Sequence, residues 1–493
     1  MLEPVPSVGP AELAQGQKAL VRDLAWASMS GAFSGGVILV AFALALGATP
    51  LHVGLLAAIP FMAQAVQLPA TVLVERVRQR RKIGVLTISA ARIVVLAMAA
   101  LPFLPGEGTA LKALIAAQVL ICGLNAVGGC AVNSWLHQLI PHHELGNFFA
   151  RRLFSGTALA CVGTLAAGWL VDRGSPGQPL HAYALAFAIA GVAGFVSSFH
   201  LSRAPEPQMQ RAGPEGDLAR RLLEPFADRN FRRLLVFLAA WAVASNLAAP
   251  FLTVYLMQQR GYQVATVTSL WVASQLANAL TLYLWGRLSD RYSNKSVLAV
   301  ALPVNFACLL ALVFVDGLDE SWQLPVLYAV HAVFGVVCGG IGLAVGNLGL
   351  KLAPQGRGTA YLAAIGLCSA VAGGIAPIVA GALAEAFQAT ELSAVVRWTS
   401  WGNSSEISLV SFAHWEFLFA LAALLGLYVI HALSRIDEGG EVSERQVVQE
   451  FALEAWRSLN NLSTVAGALG NLFPFERLSE RRKWWRLREA GNR

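Results

Sequence analysis

The stretch WGRLSDRYSNK (285–295) sets Arg287, Asp290, Arg291 and Lys295 between two long apolar runs. An earlier stretch, LVERVRQRRK (73–82), interrupts the apolar pattern in the same way. Glu75 and Asp290 each follow the second apolar run of their half of the chain, and 290 − 75 = 215. A second landmark behaves alike. NSWLHQLIPHHELGNFFARR (133–152) and NLGLKLAPQGRGTAYL (347–362) close the fourth run of each half, and their prolines give 354 − 141 = 213. Two landmarks at nearly one offset point to two copies of a six-helix unit, and parallel repeats around a central cavity are one of the transporter architectures.

Composition agrees. The 493 residues are 56% hydrophobic and 13% charged, with mean hydropathy +0.57, against about 25% charged residues in soluble domains. The net charge of +7 sits mostly in short loops between apolar runs rather than on one face of a soluble domain, so no nucleic-acid partner is expected. Cys122, Cys130, Cys161, Cys308, Cys338 and Cys368 all fall inside apolar runs without metal-ligand spacing. They read as small packing residues, and no metal or cofactor is expected. Residues 1–22 carry Pro, Glu, Gln and Lys, and the first apolar run is too long for a cleavable signal.

Twelve runs are long enough to span a bilayer. The first six lie at 24–47, 51–74, 84–105, 113–140, 149–171 and 182–202; the second six at 232–257, 264–287, 296–315, 324–350, 358–387 and 411–434. The expected fold is an all-α polytopic membrane protein, twelve transmembrane helices arranged as two pseudo-symmetric six-helix bundles. One set of loops carries 19 Lys and Arg residues and the opposite set carries four, Lys112, Arg173, Arg260 and Arg397. Positive loops stay in the cytoplasm, which puts both termini there. The domains follow: an N-terminal tail (1–22), a first bundle (23–202), a linker (203–231), a second bundle (232–435) and a C-terminal tail (436–493).

Gly286-x-Leu288-Ser289-Asp290-Arg291-x-x-x-Lys295 resembles the loop signature of the major facilitator superfamily, with Ser293 in place of its second glycine. The first-half copy keeps Leu73, Glu75 and Arg76, with Thr71 in place of the leading glycine. The resemblance spans about residues 20–435 and implies a transporter working by alternating access. A carboxylate near a helix end can accept from the free N–H groups opening a neighbouring helix. The resemblance implies that Asp290 faces the fifth helix, opened by Arg151 and Arg152, and that Glu75 faces the eleventh, opened by Arg357. Glu75, Arg76, Asp290 and Arg291 with those arginines would then latch the halves on the cytoplasmic side in the outward-open state. The plainer reading is that these are topology-setting loop charges. The fifth span has no Gly-Pro pair, so the superfamily's antiporter signature is not met.

Polar residues inside spans are costly and become pathway candidates. On the helices that line the cavity in that family, these are Ser34, Gln64, Gln67, Asn125, Asn246, Gln275, Asn278 and His331. Gluing helices together is the competing role. The spacing of Gln64 with Gln67, and of Gln275 with Asn278, puts each pair on one helical face. Trp241, Trp271 and Tyr283 are candidates for an aromatic wall, whereas Trp285 and Trp415 read as membrane-interface residues. No Asp or Glu lies near the middle of a span, which leaves His331 to titrate in the pathway or simply to pack. Arg92, inside the third run, either snorkels or binds an anion. Gly31-x-x-x-Gly35 permits close helix approach, and Pro377 within GGIAPIVAG (373–381) favours a kink.

The external loop 388–410 is open between disorder and a small cap. In the tail, Val448, Phe451, Ala455 and Leu459 form an apolar stripe. Trp484 and Trp485 within RRKWWRLR (481–488) suit an anchor on anionic lipid. With no GxxxxGK[ST] loop, catalytic triad or metal cluster, neither an enzyme nor an ATP-driven pump is expected. The sequence points to a monomeric secondary transporter of a small organic solute in the inner membrane. The rival is a sensor or scaffold of the same fold that recruits partners through its tail.

Overall fold

The computed structural model describes residues 3–6, 8–106, 108–141, 144–174, 179–209, 224–354, 358–400, 403–439, 446–449 and 451–453. The first bundle comprises α1 (Pro10–Ala45), α2 (Pro50–Ala63, continued by Gln67–Val77), α3 (Arg80–Phe103), α4 (Thr109–Leu139), α5 (Leu145–Asp172) and α6 (Pro179–Leu201). The second comprises α7 (Arg229–Gln259), α8 (Val264–Arg291), α9 (Asn294–Val313), α10 (Glu320–Leu352), α11 (Gly358–Phe387) and α12 (Trp415–Ser434). Among the described residues ten helices are long and apolar enough to cross a membrane, and α2, bent by 45°, makes an eleventh when taken as one span. The 28-residue α8 is also long enough to cross but more polar, and it completes the twelve.

The packing repeats as the sequence offset requires. The pairs α1–α5, α1–α6, α3–α4 and α3–α6 recur as α7–α11, α7–α12, α9–α10 and α9–α12. The first bundle buries Phe42 against Tyr183 and Phe187, with ring centroids 5.2 and 5.0 Å apart. The second buries Phe251 on Trp415 at 5.7 Å and Tyr255 on Phe419 at 5.3 Å. Across the bundles, α2 packs on α11 and α5 on α8.

Local chemistry sets several boundaries. Asp228 opens α7 by accepting from the Asn230 and Phe231 N–H groups at 2.9 and 3.0 Å, and Ser293 opens α9 by accepting from Ser296 N–H at 3.0 Å. Within α1, Gly36 takes φ +50°, a backbone that side-chained residues rarely adopt. The helix breaks there and resumes.

Several expectations are corrected. α1 begins at Pro10, so much of the stretch expected as a tail is helix; Leu20 is buried because it packs with Trp135 and Leu201. The loop expected to be external is a two-stranded antiparallel hairpin, β1 (Glu391–Ser400) and β2 (Asn403–Ala413), and so α12 starts at Trp415 rather than 411. Trp285 and Trp415 are interior, not interfacial. Trp285 donates to the Val336 carbonyl at 2.8 Å and lies 4.5 Å from the Phe451 ring. In the tail, Val447 is buried and Val448 exposed, so the inward stripe passes through Val447 and Phe451. Ala455, Leu459, Trp484 and Trp485 lie outside the described residues.

Candidate functional site

Between the bundles lies a cavity of about 710 Å³. It runs from Leu24 and Leu153, in the halves of α1 and α5 on the side of the basic loops, to Val53 and Thr253, near the opposite ends of α2 and α7. At that remote end the bundles touch closely. A Cβ on Gly54 would strike the Pro377 carbonyl, and one on Gly381 would come within 2.7 Å of the Pro50 carbonyl. The cavity therefore has one closed end, formed where α2 meets α11 and α5 meets α8.

Its lining is neutral. No Asp, Glu, Lys, Arg or His lines it among the described residues. The polar groups are carboxamides and hydroxyls: Gln118, Asn246 and Gln275 with Ser28, Thr157, Thr164 and Thr253, beside the Trp271 indole. Asn246 donates to the Ala242 carbonyl at 2.9 Å. Its Oδ1 remains to accept, while Gln275 is exposed to the cavity space. Carboxamides offer both donor and acceptor, and an apolar remainder excludes water from an organic body.

Of the pathway candidates the cavity takes in Asn246 and Gln275. Asn278, one turn from Gln275, instead lies against Gly339 of α10. Gln64 and Gln67 bond to each other, and the Ser34 hydroxyl donates back to the Ser30 carbonyl at 2.8 Å. Trp241 packs edge-on against Phe306 at 6.1 Å, Tyr283 is exposed beside Arg287, and Asn125 is half-buried outside the lining. His331 is buried, its Nδ1 donating to the Leu327 carbonyl at 2.8 Å. Gly31 does not pack another helix; it lines the cavity with nothing within 4 Å of a would-be Cβ. Gln118 and the four hydroxyl residues escaped sequence reading. Gln118 was legible as a carboxamide inside the fourth run, but Ser and Thr inside a helix can bond their own backbone, which hides any other role.

The three hydrogen bonds that cross the bundles among the described residues involve none of the latch residues. Glu75, Arg76, Arg151, Asp290 and Arg291 are exposed, and Arg357 lies outside the described residues. Arg152 turns into its own bundle, where Nη2 lies 3.6 Å from Asp23 Oδ2 and Nε donates to the Leu20 carbonyl at 3.3 Å. Ser197 donates to Asp23 Oδ1 at 2.7 Å, and the Arg92 side chain packs on Gly194 with its Nε buried.

The loop charges between these positions serve each bundle internally. Glu206 is fully buried and accepts from the Arg80 and Arg81 N–H groups opening α3, at 2.7 and 3.1 Å, and from Arg80 Nε at 3.3 Å. Glu438 does the same for α9, accepting from the Asn294 and Lys295 N–H groups at 3.1 and 2.7 Å and pairing with Lys351 Nζ at 3.1 Å. Burial pushes the Glu438 carboxyl up, but the Lys295 N–H, the Asn294 amide, the Lys351 ammonium and the Asn294 N–H together outweigh it and hold the group below its ordinary range.

Comparison with known folds agrees with this geometry. The nucleoside transporter NupG superposes with a TM-score of 0.61 at 13% identity, covering 86% of this chain and 98% of its own. A bacterial homologue of the iron transporter ferroportin, in an inward-facing state, gives 0.60 at 15% identity, covering 87% and 99%. A bacterial homolog of the human lysosomal transporter Spinster, inward-facing and unoccupied, gives 0.56 at 15% identity, covering 90% and 97%. No curated protein sequence matches at a significant level. The sequence model of one family matches residues 24–377, from the first span into the eleventh. With its duplicated six-helix packing and central one-ended cavity, the chain belongs to the Major Facilitator Superfamily.

Proposed function

We propose that the protein is a secondary transporter moving a small, uncharged organic solute across the inner membrane by alternating access. Both termini lie in the cytoplasm on this reading, because 19 of the basic residues fall in loops on that side, remote from the end where the bundles meet. The conformation is then inward-open. The observation that carries the proposal is the cavity itself: it is lined by both bundles, closed at one end and, among the described residues, free of ionised side chains. A scaffold without transport needs no such space. An ionised solute would lie there without a counter-charge in a poorly hydrated site, which is costly. A body of apolar and aromatic character with a few donors and acceptors fits the carboxamides beside Trp271.

The test is a thermal-shift screen of purified protein with uncharged organic solutes, nucleosides included because one similar fold is a nucleoside transporter. A bound solute at about 100 times its Kd stabilises by about 2.7 kcal/mol. The melting temperature should rise in the parent and much less in Gln275→Ala and Asn246→Ala. A panel without any shift, or equal shifts in both variants, overturns the proposal.

A further inference from the structure

Three hydrogen bonds with both partners among the described residues cross between the bundles, and all lie at the cavity's closed end. Asp172, the last residue of α5, accepts from the first two N–H groups of α8: Val264 N–H to Oδ1 at 3.1 Å and Ala265 N–H to Oδ2 at 2.6 Å. Glu385, near the end of α11, accepts from Leu51 N–H at the start of α2, at 3.2 Å. A helix leaves its first N–H groups unpaired and carries positive potential there. Gln263, which precedes α8, supplies no side-chain cap. In both places the missing acceptor comes from the opposite bundle.

The two contacts are copies of one device. The carboxylates are related by 385 − 172 = 213 and the N–H donors by 264 − 51 = 213. One turn before each carboxylate stands a glycine, Gly168 and Gly381, and 381 − 168 = 213. Each glycine removes the side chain that would hold the helices apart. A Cβ on Gly168 would lie 3.1 Å from Ala265 Cα, and one on Gly381 would lie 2.8 Å from Leu51 Cα.

We propose that Asp172 and Glu385, each with its glycine one turn earlier, are the paired outer gate of this transporter. The inference rests on the transport reading. For the cavity to open at this end α5 must leave α8 and α11 must leave α2, so neither cap survives the cycle. Opening hands the N–H groups and carboxylates to water, which keeps the exchange reversible. Asp172 makes two of the three bonds and carries the larger share.

The test places nitroxide labels at Lys112→Cys and Trp322→Cys, exposed positions at this end of opposite bundles. The native cysteines are replaced by alanine, and the distance distribution is read by pulsed electron resonance. Asp172→Ala should raise the ratio of separated to closed molecules about ten-fold, Glu385→Ala less, and the double variant most. Asp319→Ala, an exposed carboxylate at the same end but within one bundle, should match the parent. The double variant keeping the parental distribution at the parental melting temperature overturns the proposal, as does an equal shift in Asp319→Ala. Should the alanine variants fail to fold, Asp172→Asn keeps the size with one neutral acceptor and should shift the ratio in the same direction by less; no shift there overturns it too. The readout needs no solute, so a negative result leaves the transport reading standing. Absence of solute binding with the shift intact removes the transport reading instead.

Discussion

Glu206 and Glu438 hold equivalent posts: each follows the sixth helix of its bundle and closes over the first N–H groups of the third. Such a carboxylate is held by charge-assisted bonds along the helix dipole, worth more than a surface ion pair. Glu438 has its carboxyl held below the ordinary value of 4.5. A depressed carboxyl stabilises the fold above its unfolded pKa, and that contribution fades as pH falls through the folded value. Glu438→Gln should therefore melt lower than the parent by a constant margin above about pH 5. The margin should shrink as the pH falls below about 4.5. A melting series from pH 7 to 3.5 checks this, and a margin that grows on acidification would contradict it. Neither glutamate stood out in the sequence, because a loop carboxylate does not reveal which distant N–H groups it will reach.

At the scale of elements, small residues decide where helices meet. Gly54 lets α2 lie under the Pro377 carbonyl of α11, and Pro377 cannot donate to that helix's ladder. Gly54→Val should block this approach and favour molecules closed at the basic end. Distances between labels at Lys112→Cys and Trp322→Cys would lengthen, while helix content by circular dichroism stays the same. Unchanged distances would show that α2 and α11 can yield by a small shift. Apart from the start of α1, which lies fourteen residues before its apolar run, the helices are legible to within a few residues from run length. The β1–β2 hairpin is not, since a single stretch with mixed polar and β-branched residues leaves disorder and a small cap both open. The opposite roles of Gly31 and Gly54 were likewise hidden. Both are small residues in a span, one lining open space and the other a contact.

At the scale of the whole molecule, the hydrogen bonds between the bundles among the described residues all lie at the end remote from the basic loops. Asp290 and Glu75 are exposed at the basic-loop end, with Arg152 held by Asp23 instead. If Asp290 secures the other state, by closing over α5, Asp290→Asn should leave the present conformation intact and deplete the alternative. The label pair at Lys112→Cys and Trp322→Cys should then show a smaller separated fraction than the parent, the reverse of Asp172→Ala. An unchanged or larger separated fraction would remove Asp290 from the latch.

The sequence by itself determined the number of helices, the duplication at an offset near 213 and the two-bundle plan. A bilayer demands long apolar runs, and a repeat leaves its spacing in the chain. It also held the Gly-x-x-x-Asp/Glu pair at 168–172 and 381–385, readable once the offset is applied to carboxylates at span ends. Only the tertiary structure decided that Gln275 reaches the cavity while Asn278 meets Gly339, and that Arg152 belongs to Asp23 in this state. Those outcomes depend on helix rotation and on which end of the molecule is closed. Both are set by packing between residues far apart in the chain, which local pattern does not encode.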